Sequence, residues 1–165
     1  MREQSKSAQL QIRVSPTQKA TIQRAARQAG LEMSAYVLGK VLHATESRLQ
    51  ELLRELMQSS QPAFALAAIN DVLSGLTGDE LKRAVAAPPP PGLSAEQANY
   101  VAAMIELAAN RSGMAPPDWV RSIPLLERPL FGSELESLRL YLLTHSPPPF
   151  RKRNIFVDTS LGGRV

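Results

Sequence analysis

The sequence predicts a mainly α-helical protein with one short strand near each end of the chain. Ser-x-x-Gln or Ser-x-x-Glu capping boxes precede apolar residues at helical spacing in several places. Polar and apolar residues alternate over 8–14, which is typical of a half-buried strand, and a second short strand is expected over 153–158. The run Pro88 to Pro91, followed by Gly92, cannot be helical and predicts a stiff linker. We therefore expect three segments: 5–57, a helical connector 58–92 with its linker at 88–92, and a helical region 93–165.

The first strand is predicted over residues 8–14, AQLQIRV. Strand geometry places alternate side chains on opposite faces. One face would carry the apolar Leu10, Ile12 and Val14. The other would carry Gln9, Gln11 and Arg13.

A first helix is predicted from Pro16 to about Ala29. Ser15 is its expected N-cap, and Gln18 completes a capping box. Proline at the first helical position favours this start. Gly30 is expected at the position that ends the helix.

A second, long helix is predicted to follow, with Ser34 as its cap. Its apolar seam recurs at spacings of four and three residues, and the seam packs either within the chain or against a second copy. The seam residues are Leu38, Leu42, Thr45, Leu49, Leu52 and Leu56.

Further helices are expected over Pro62 to Leu73 and Asp79 to Ala87, and from the Ser94 capping box to about Asn110. A short helix or loop is expected at Trp119. A third capping box, at Ser133, predicts a helix to about Leu143, and a terminal strand is expected with Ile155 and Val157 on one face.

One strand and two helices are too few to enclose a core, so the first segment is expected to form a homodimer. The two strands would pair antiparallel across a two-fold axis, and four helices would cover their apolar face. The expected dimer core consists of Leu10, Ile12, Val14, Ile22, Val37, Leu38 and Val41.

The outer face of such a two-stranded ribbon fits the major groove of DNA. Arg pairs with guanine and Gln with adenine, which makes Gln9, Gln11 and Arg13 candidate base-reading residues. Residues 1–50 carry eight Lys or Arg against three acids, an excess that favours a polyanion. Candidate phosphate contacts are the backbone N–H groups of Ser34 and Ala35 and the side chains of Lys6 and Lys19.

The segments L-Q-I-R-V-S-P at 10–16 and M-S-A-Y-V-L at 33–38, joined through the Gly30 turn, resemble the ribbon-helix-helix (Arc/MetJ-like) superfamily. The likeness covers about residues 5–57 and is greatest to antitoxins of type II toxin–antitoxin systems. It implies an intertwined dimer on double-stranded operator DNA, with Gln9, Gln11 and Arg13 reading bases and Ser34 holding a phosphate. Those antitoxins end in a short tail, whereas about 110 residues follow here.

The resemblance leads us to expect an antitoxin that represses its own operon and holds a toxin through its C-terminal region. Two alternatives remain open. One is a stand-alone transcriptional repressor with a ligand-sensing or oligomerising C-terminal domain. The other is a plasmid partition or relaxosome accessory protein.

Several other classes of function are disfavoured by the sequence. The chain has no Cys, which excludes disulfides and thiolate metal sites. Its opening is polar and no run is long enough to span a membrane, so we expect a cytoplasmic protein with no membrane partner. His43 and His145 lack metal-site spacing, and no catalytic motif is present, so we expect neither a cofactor nor enzyme activity.

The basic tail 151–165 is either a second phosphate-contacting patch, an edge strand for a partner, or a strand of its own domain.

Overall fold

The computed structural model describes residues 11–158, with the side chains of residues 42–46 not included. The described chain is mainly helical, as predicted. It divides into two compact units between Val41 and Leu42. We refer to the residues up to Val41 as the N-terminal unit and to those from Leu42 onward as the C-terminal unit.

Helix α1, Pro16–Gln28, has the predicted caps at both ends. The Ser15 Oγ accepts from the backbone N–H of Gln18 at 3.2 Å, and the Gln18 side chain accepts from the Ser15 N–H at 2.9 Å. At the other end Gly30 has a φ of 66°, which favours glycine. The N–H of Leu31 returns to the Ala26 carbonyl at 3.0 Å, so the turn is a Schellman motif that ends the helix sharply.

Helix α2, Met33–Gln58, begins two residues earlier than predicted. Its first helical hydrogen bond runs from the N–H of Tyr36 to the carbonyl of Glu32, at 2.9 Å. Glu32 therefore occupies the cap position. The prediction that Ser34 caps this helix is wrong, since Ser34 lies within the first turn.

The structure assigns no strand to the described part of the predicted ribbon, residues 11–14. A strand is defined by hydrogen bonds to a neighbouring strand, and the predicted neighbour belongs to a second copy of the chain. The rest of the predicted strand, including Gln9 and Leu10, lies outside the described residues, as does Lys6.

The C-terminal unit consists of short helices and one pair of short strands. After α2 come α3 (Pro62–Gly75), α4 (Gly78–Ala84), α5 (Ala95–Arg111) and α6 (Asp118–Arg121). Strand β1 (Leu130–Phe131), a 3-10 turn (Glu136–Leu138), α7 (Arg139–His145), α8 (Pro148–Lys152) and β2 (Ile155–Phe156) follow. The two strands are parallel, with Leu130 opposite Ile155. The terminal strand is confirmed, and Ile155 and Val157 are both buried, as their shared face predicted.

The predicted capping box at Ser133 is wrong. The Ser133 Oγ accepts from the N–H of Leu135 at 3.2 Å, and helix α7 begins only at Arg139. The preceding Gly132 donates its N–H to the Phe156 carbonyl at 2.9 Å and so extends the pairing of β1 with β2. This long-range pairing fixes the chain direction just before Ser133, where the local sequence alone indicated a helix start.

The core of the C-terminal unit includes the second half of α2. Leu49, Leu52 and Leu56 are buried in one cluster with residues of α3, α4, α5 and β2. The apolar seam predicted for α2 therefore packs within the chain from Leu49 onward. The side chains of its earlier members Leu42 and Thr45 lie outside the described part of the structure.

The predicted boundary at 88–92 does not coincide with a division of the structure. Ile69, Leu81 and Val85 belong to the same buried cluster as residues beyond the linker. The Trp119 indole also donates to the Val85 carbonyl at 2.9 Å. Segment 58–92 is thus part of the C-terminal core.

None of the helices in the described range combines the length and hydrophobicity needed to cross a bilayer.

The Ser94 capping box of α5 provides a direct test of local stability. The Ser94 Oγ accepts from the Gln97 N–H at 3.1 Å, and the Gln97 amide also donates to the Leu56 carbonyl at 3.0 Å. We expect Ser94→Ala to lower the free energy of unfolding by about 1 kcal/mol, because one helix N–H loses its partner. Urea denaturation measures this, with Ser137→Ala on the exposed 3-10 turn as the control; equal effects would contradict the role of the cap.

Candidate nucleic-acid interface

The segment that leads into α1 exposes polar and apolar side chains alternately. Gln11 and Arg13 are exposed. Ile12 and Val14 are also accessible, at 58% and 42%. In the single chain both faces of this segment are therefore available to a partner.

The residues predicted to form the dimer core leave an accessible apolar surface on the N-terminal unit. Leu38 and Val41 are 43% and 61% exposed, while Ile22 and Val37 are half-buried. Clustered exposed apolar side chains mark interaction surfaces in soluble proteins. We call the described residues of this set the apolar face: Ile12, Val14, Ile22, Val37, Leu38 and Val41.

The start of α2 offers unpaired backbone donors. The N–H groups of Met33, Ser34 and Ala35 precede the first helical hydrogen bond, which belongs to Tyr36. Ser34 and Ala35 are exposed. The helix dipole adds partial positive charge at this end, so the arrangement suits a phosphate.

Positive charge dominates the described part of the N-terminal unit. Helix α1 carries Lys19, Arg24 and Arg27 and no acidic residue, and all three cations are exposed. On α2 the Lys40 ammonium lies 5.8 Å from the ring centre of Tyr36. Glu32 is the sole acidic residue between positions 11 and 41. The unit therefore attracts anions over much of its surface.

A second group of polar residues, missed by sequence reasoning, lies buried in the C-terminal unit. The Arg153 guanidinium donates to Asn99 Oδ1 at 3.1 Å and to the Val120 carbonyl at 2.8 Å. Its Nε lies 3.5 Å from a carboxylate oxygen of Glu106. The other Glu106 oxygen is 3.8 Å from the Lys152 ammonium. We call Asn99, Glu106 and Arg153 the buried polar cluster; all three are at most 6% exposed.

The one local signal for this cluster was the placing of two polar residues among apolar ones on helix α5. Arg153 ends helix α8 and is buried, as are Ile155 and Val157 just after it. Asn99 and Glu106 are seven residues apart on α5, which places them on one helix face. Of the three consecutive bases at 151–153, Arg153 is buried, whereas Arg151 and Lys152 are exposed.

One comparison with known proteins bears on the N-terminal unit. A family model for NikA-like proteins, described as mobilization protein NikA, matches residues 4–60. The match spans α1 and α2 and covers about a third of the chain. Neither curated proteins nor solved structures give a match. The resemblance to antitoxins is not shown, and the family match is to a mobilization protein.

Proposed function

We propose that this chain is a dimeric, sequence-specific DNA-binding protein that serves as an accessory component of a DNA-mobilization complex, or relaxosome, in the cytoplasm. The observation that carries the proposal is the match of residues 4–60 to a mobilization-protein family, a range that includes all the described residues of the basic N-terminal unit. Among the alternatives left open by the sequence, this match favours the relaxosome accessory over the antitoxin and the stand-alone repressor.

Dimerisation is supported by the apolar face. Ile12 and Val41 are more than half exposed in the single chain, although both are large aliphatic residues. Each such side chain gains about 1.5–3 kcal/mol when it is fully buried. Pairing two N-terminal units would bury the apolar face twice and leave Gln11 and Arg13 outside.

The base-reading role belongs to the outer face of the paired ribbon. Gln11 and Arg13 are exposed in the described chain. Gln9, which the sequence predicts on the same face, lies outside the described residues. A two-fold dimer presents each residue twice, so the expected binding site is a palindrome or a repeat. The N–H groups of Ser34 and Ala35, with Lys19 and Lys6, would hold phosphates and fix the register.

The C-terminal unit is proposed to bind a partner rather than to catalyse a reaction. In the described residues no set of three or more His, Cys, Asp or Glu side chains is grouped to hold a metal ion. In the buried polar cluster the Arg153 guanidinium donates to Asn99 and forms an ion pair with Glu106, although Arg153 Nε and Glu106 Oε2 have no hydrogen-bond partner in the described residues. This arrangement supports a structural framework for binding.

The decisive experiment first finds the DNA site and then removes one base reader. Selection from random double-stranded oligonucleotides with the full chain should yield a palindromic or repeated sequence. We expect Arg13→Ala to weaken binding to that site by about 1–3 kcal/mol, because a bidentate contact to guanine is lost. The affinity is measured by fluorescence anisotropy at about 150 mM salt, since phosphate contacts depend on salt.

Two control variants separate base reading from general attraction. Arg121→Ala removes an exposed cation of the C-terminal unit and should leave the affinity unchanged. Lys19→Ala should weaken binding to selected and random DNA alike. If selection yields no preferred sequence, or Arg13→Ala behaves like Lys19→Ala, the ribbon does not read bases. Location of the selected site at an origin of DNA transfer would support mobilization, and location at the chain's own promoter would support repression.

A further inference from the structure

The C-terminal unit contains a cavity of about 550 Å³ that the proposed DNA-binding role does not use. Its floor is formed by one face of α3, with Ala63, Ala67 and Asn70, and by one face of α5. Residues of α7 and the segment that follows β2 form the other walls. The volume falls within the range of about 300–1,000 Å³ that is typical of small-molecule sites.

The cavity is elongated along α5. Its lining residues on this helix recur at the spacing of one helix face, from Tyr100 through Met104 and Leu107 to Arg111. The eleven steps along the helix from Tyr100 to Arg111 correspond to about 16 Å. Between these two ends α5 contributes only apolar side chains. The site is therefore a long apolar groove with a cation at one end of its floor.

The groove offers hydrogen-bond donors without partners in the described chain. No carboxylate of the described residues lies within 4 Å of the Arg111 guanidinium, and Arg111 is exposed at the rim. Within the same part of the chain, neither the Tyr100 hydroxyl nor the Asn70 amide has a hydrogen-bond partner. Burial raises the pKa of the Tyr100 phenol, so its hydroxyl stays protonated at neutral pH.

The one acidic residue of the groove is already engaged. The Asp158 carboxylate raises the pKa of Tyr141 through its charge, and it also accepts a hydrogen bond from the Tyr141 hydroxyl. Both residues line the groove, Tyr141 on α7 and Asp158 in the segment that follows β2. Arg111 thus remains as the unpaired charge of the groove within the described residues, and a ligand with one negative group at that end suits it.

We propose that this groove binds a long-chain aliphatic carboxylate, with the chain along the apolar face of α5 and the carboxylate at Arg111. An extended chain of about twelve carbons has about the length of the α5 floor. The planar guanidinium of Arg matches a carboxylate in a bidentate geometry. All the lining residues belong to the C-terminal unit, so the proposal does not depend on DNA binding.

Calorimetric titration of the full chain with dodecanoate, below its micellar concentration, tests the proposal. We expect saturable binding with one site per chain. Arg111→Gln should weaken dodecanoate binding about tenfold, because the charged hydrogen bonds are lost. The same variant should leave the affinity for dodecan-1-ol, which has the same chain length and no charge, unchanged. Arg121→Gln, at an exposed arginine outside the groove, is the matched control.

Large side chains introduced into the groove test whether the ligand binds there. Ala67→Trp should abolish binding of both compounds, and Ala63→Trp, in the first turn of α3, provides a second obstruction if the first variant does not fold. The proposal is overturned if Arg111→Gln leaves dodecanoate binding unchanged or if both tryptophan variants still bind. It is equally overturned if binding does not saturate, or if the tryptophan variants change the oligomeric state, which would make the groove an interface between copies of the chain.

Discussion

Replacing Arg153 with Met is expected to lower the free energy of unfolding of the C-terminal unit by about 3–5 kcal/mol. The substitution removes the buried partner of Glu106, which is 6% exposed, and leaves its carboxylate with only the exposed Lys152 ammonium, 3.8 Å from its other oxygen. It also leaves Asn99 Oδ1 and the Val120 carbonyl without their donor. A buried charge without its partner costs far more than the loss of a surface ion pair.

The single tryptophan of the chain makes this measurement specific to one unit. Trp119 lies in the C-terminal unit, so its fluorescence during urea denaturation reports the unfolding of that unit. Arg151→Met is the matched control, because Arg151 is exposed two residues away and should change stability by less than about 0.5 kcal/mol. Equal effects of the two substitutions would show that the buried polar cluster does not hold the unit together.

A double variant tests whether charge is the cause. Glu106→Leu combined with Arg153→Met removes both charges, so neither remains alone in the core. We expect the double variant to be more stable than the sum of the two single losses predicts, by about 1–3 kcal/mol. Simple additivity would instead assign the loss to packing and to the contacts with Asn99 and Val120.

Features coded within one helical turn were predictable from the sequence. The capping boxes of Ser15 and Ser94 are both present, because each depends on residues three positions apart. The turn at Gly30 was predictable for the same reason. The box at Ser133 has a similar sequence and failed, because the pairing of Gly132 with Phe156 constrains the chain from far away.

Features that depend on distant residues were not predictable. The segment 58–92 has the proline run of a linker, yet Leu81 and Val85 pack against helices on both sides of that run. Arg153 lies in a basic cluster typical of a surface, and its burial depends on Glu106 and Asn99 of α5. The groove along α5 likewise arises only when α3, α5 and α7 come together.

The predicted ribbon depends on a second chain, and its test is the other large effect. We expect Ile12→Asp to abolish the dimer and to weaken binding to the selected DNA site at least about hundredfold. In a single chain Ile12 is 58% exposed, so the carboxylate would remain in water and cost little. In the dimer two carboxylates would be buried near the two-fold axis without partners, which costs several kcal/mol for each.

This contrast between the single chain and the dimer makes Ile12→Asp a sharp test. Sedimentation velocity measures the oligomeric state, and fluorescence anisotropy measures the affinity for DNA at the same salt concentration. Leu125→Asp is the matched control, since Leu125 is 56% exposed in the C-terminal unit and lies outside the apolar face. A stable dimer in Ile12→Asp would place the dimer contact away from the ribbon. Loss of the dimer with DNA affinity retained would mean that one N-terminal unit binds DNA alone, and the two-fold site expected for the paired ribbon would then have no basis.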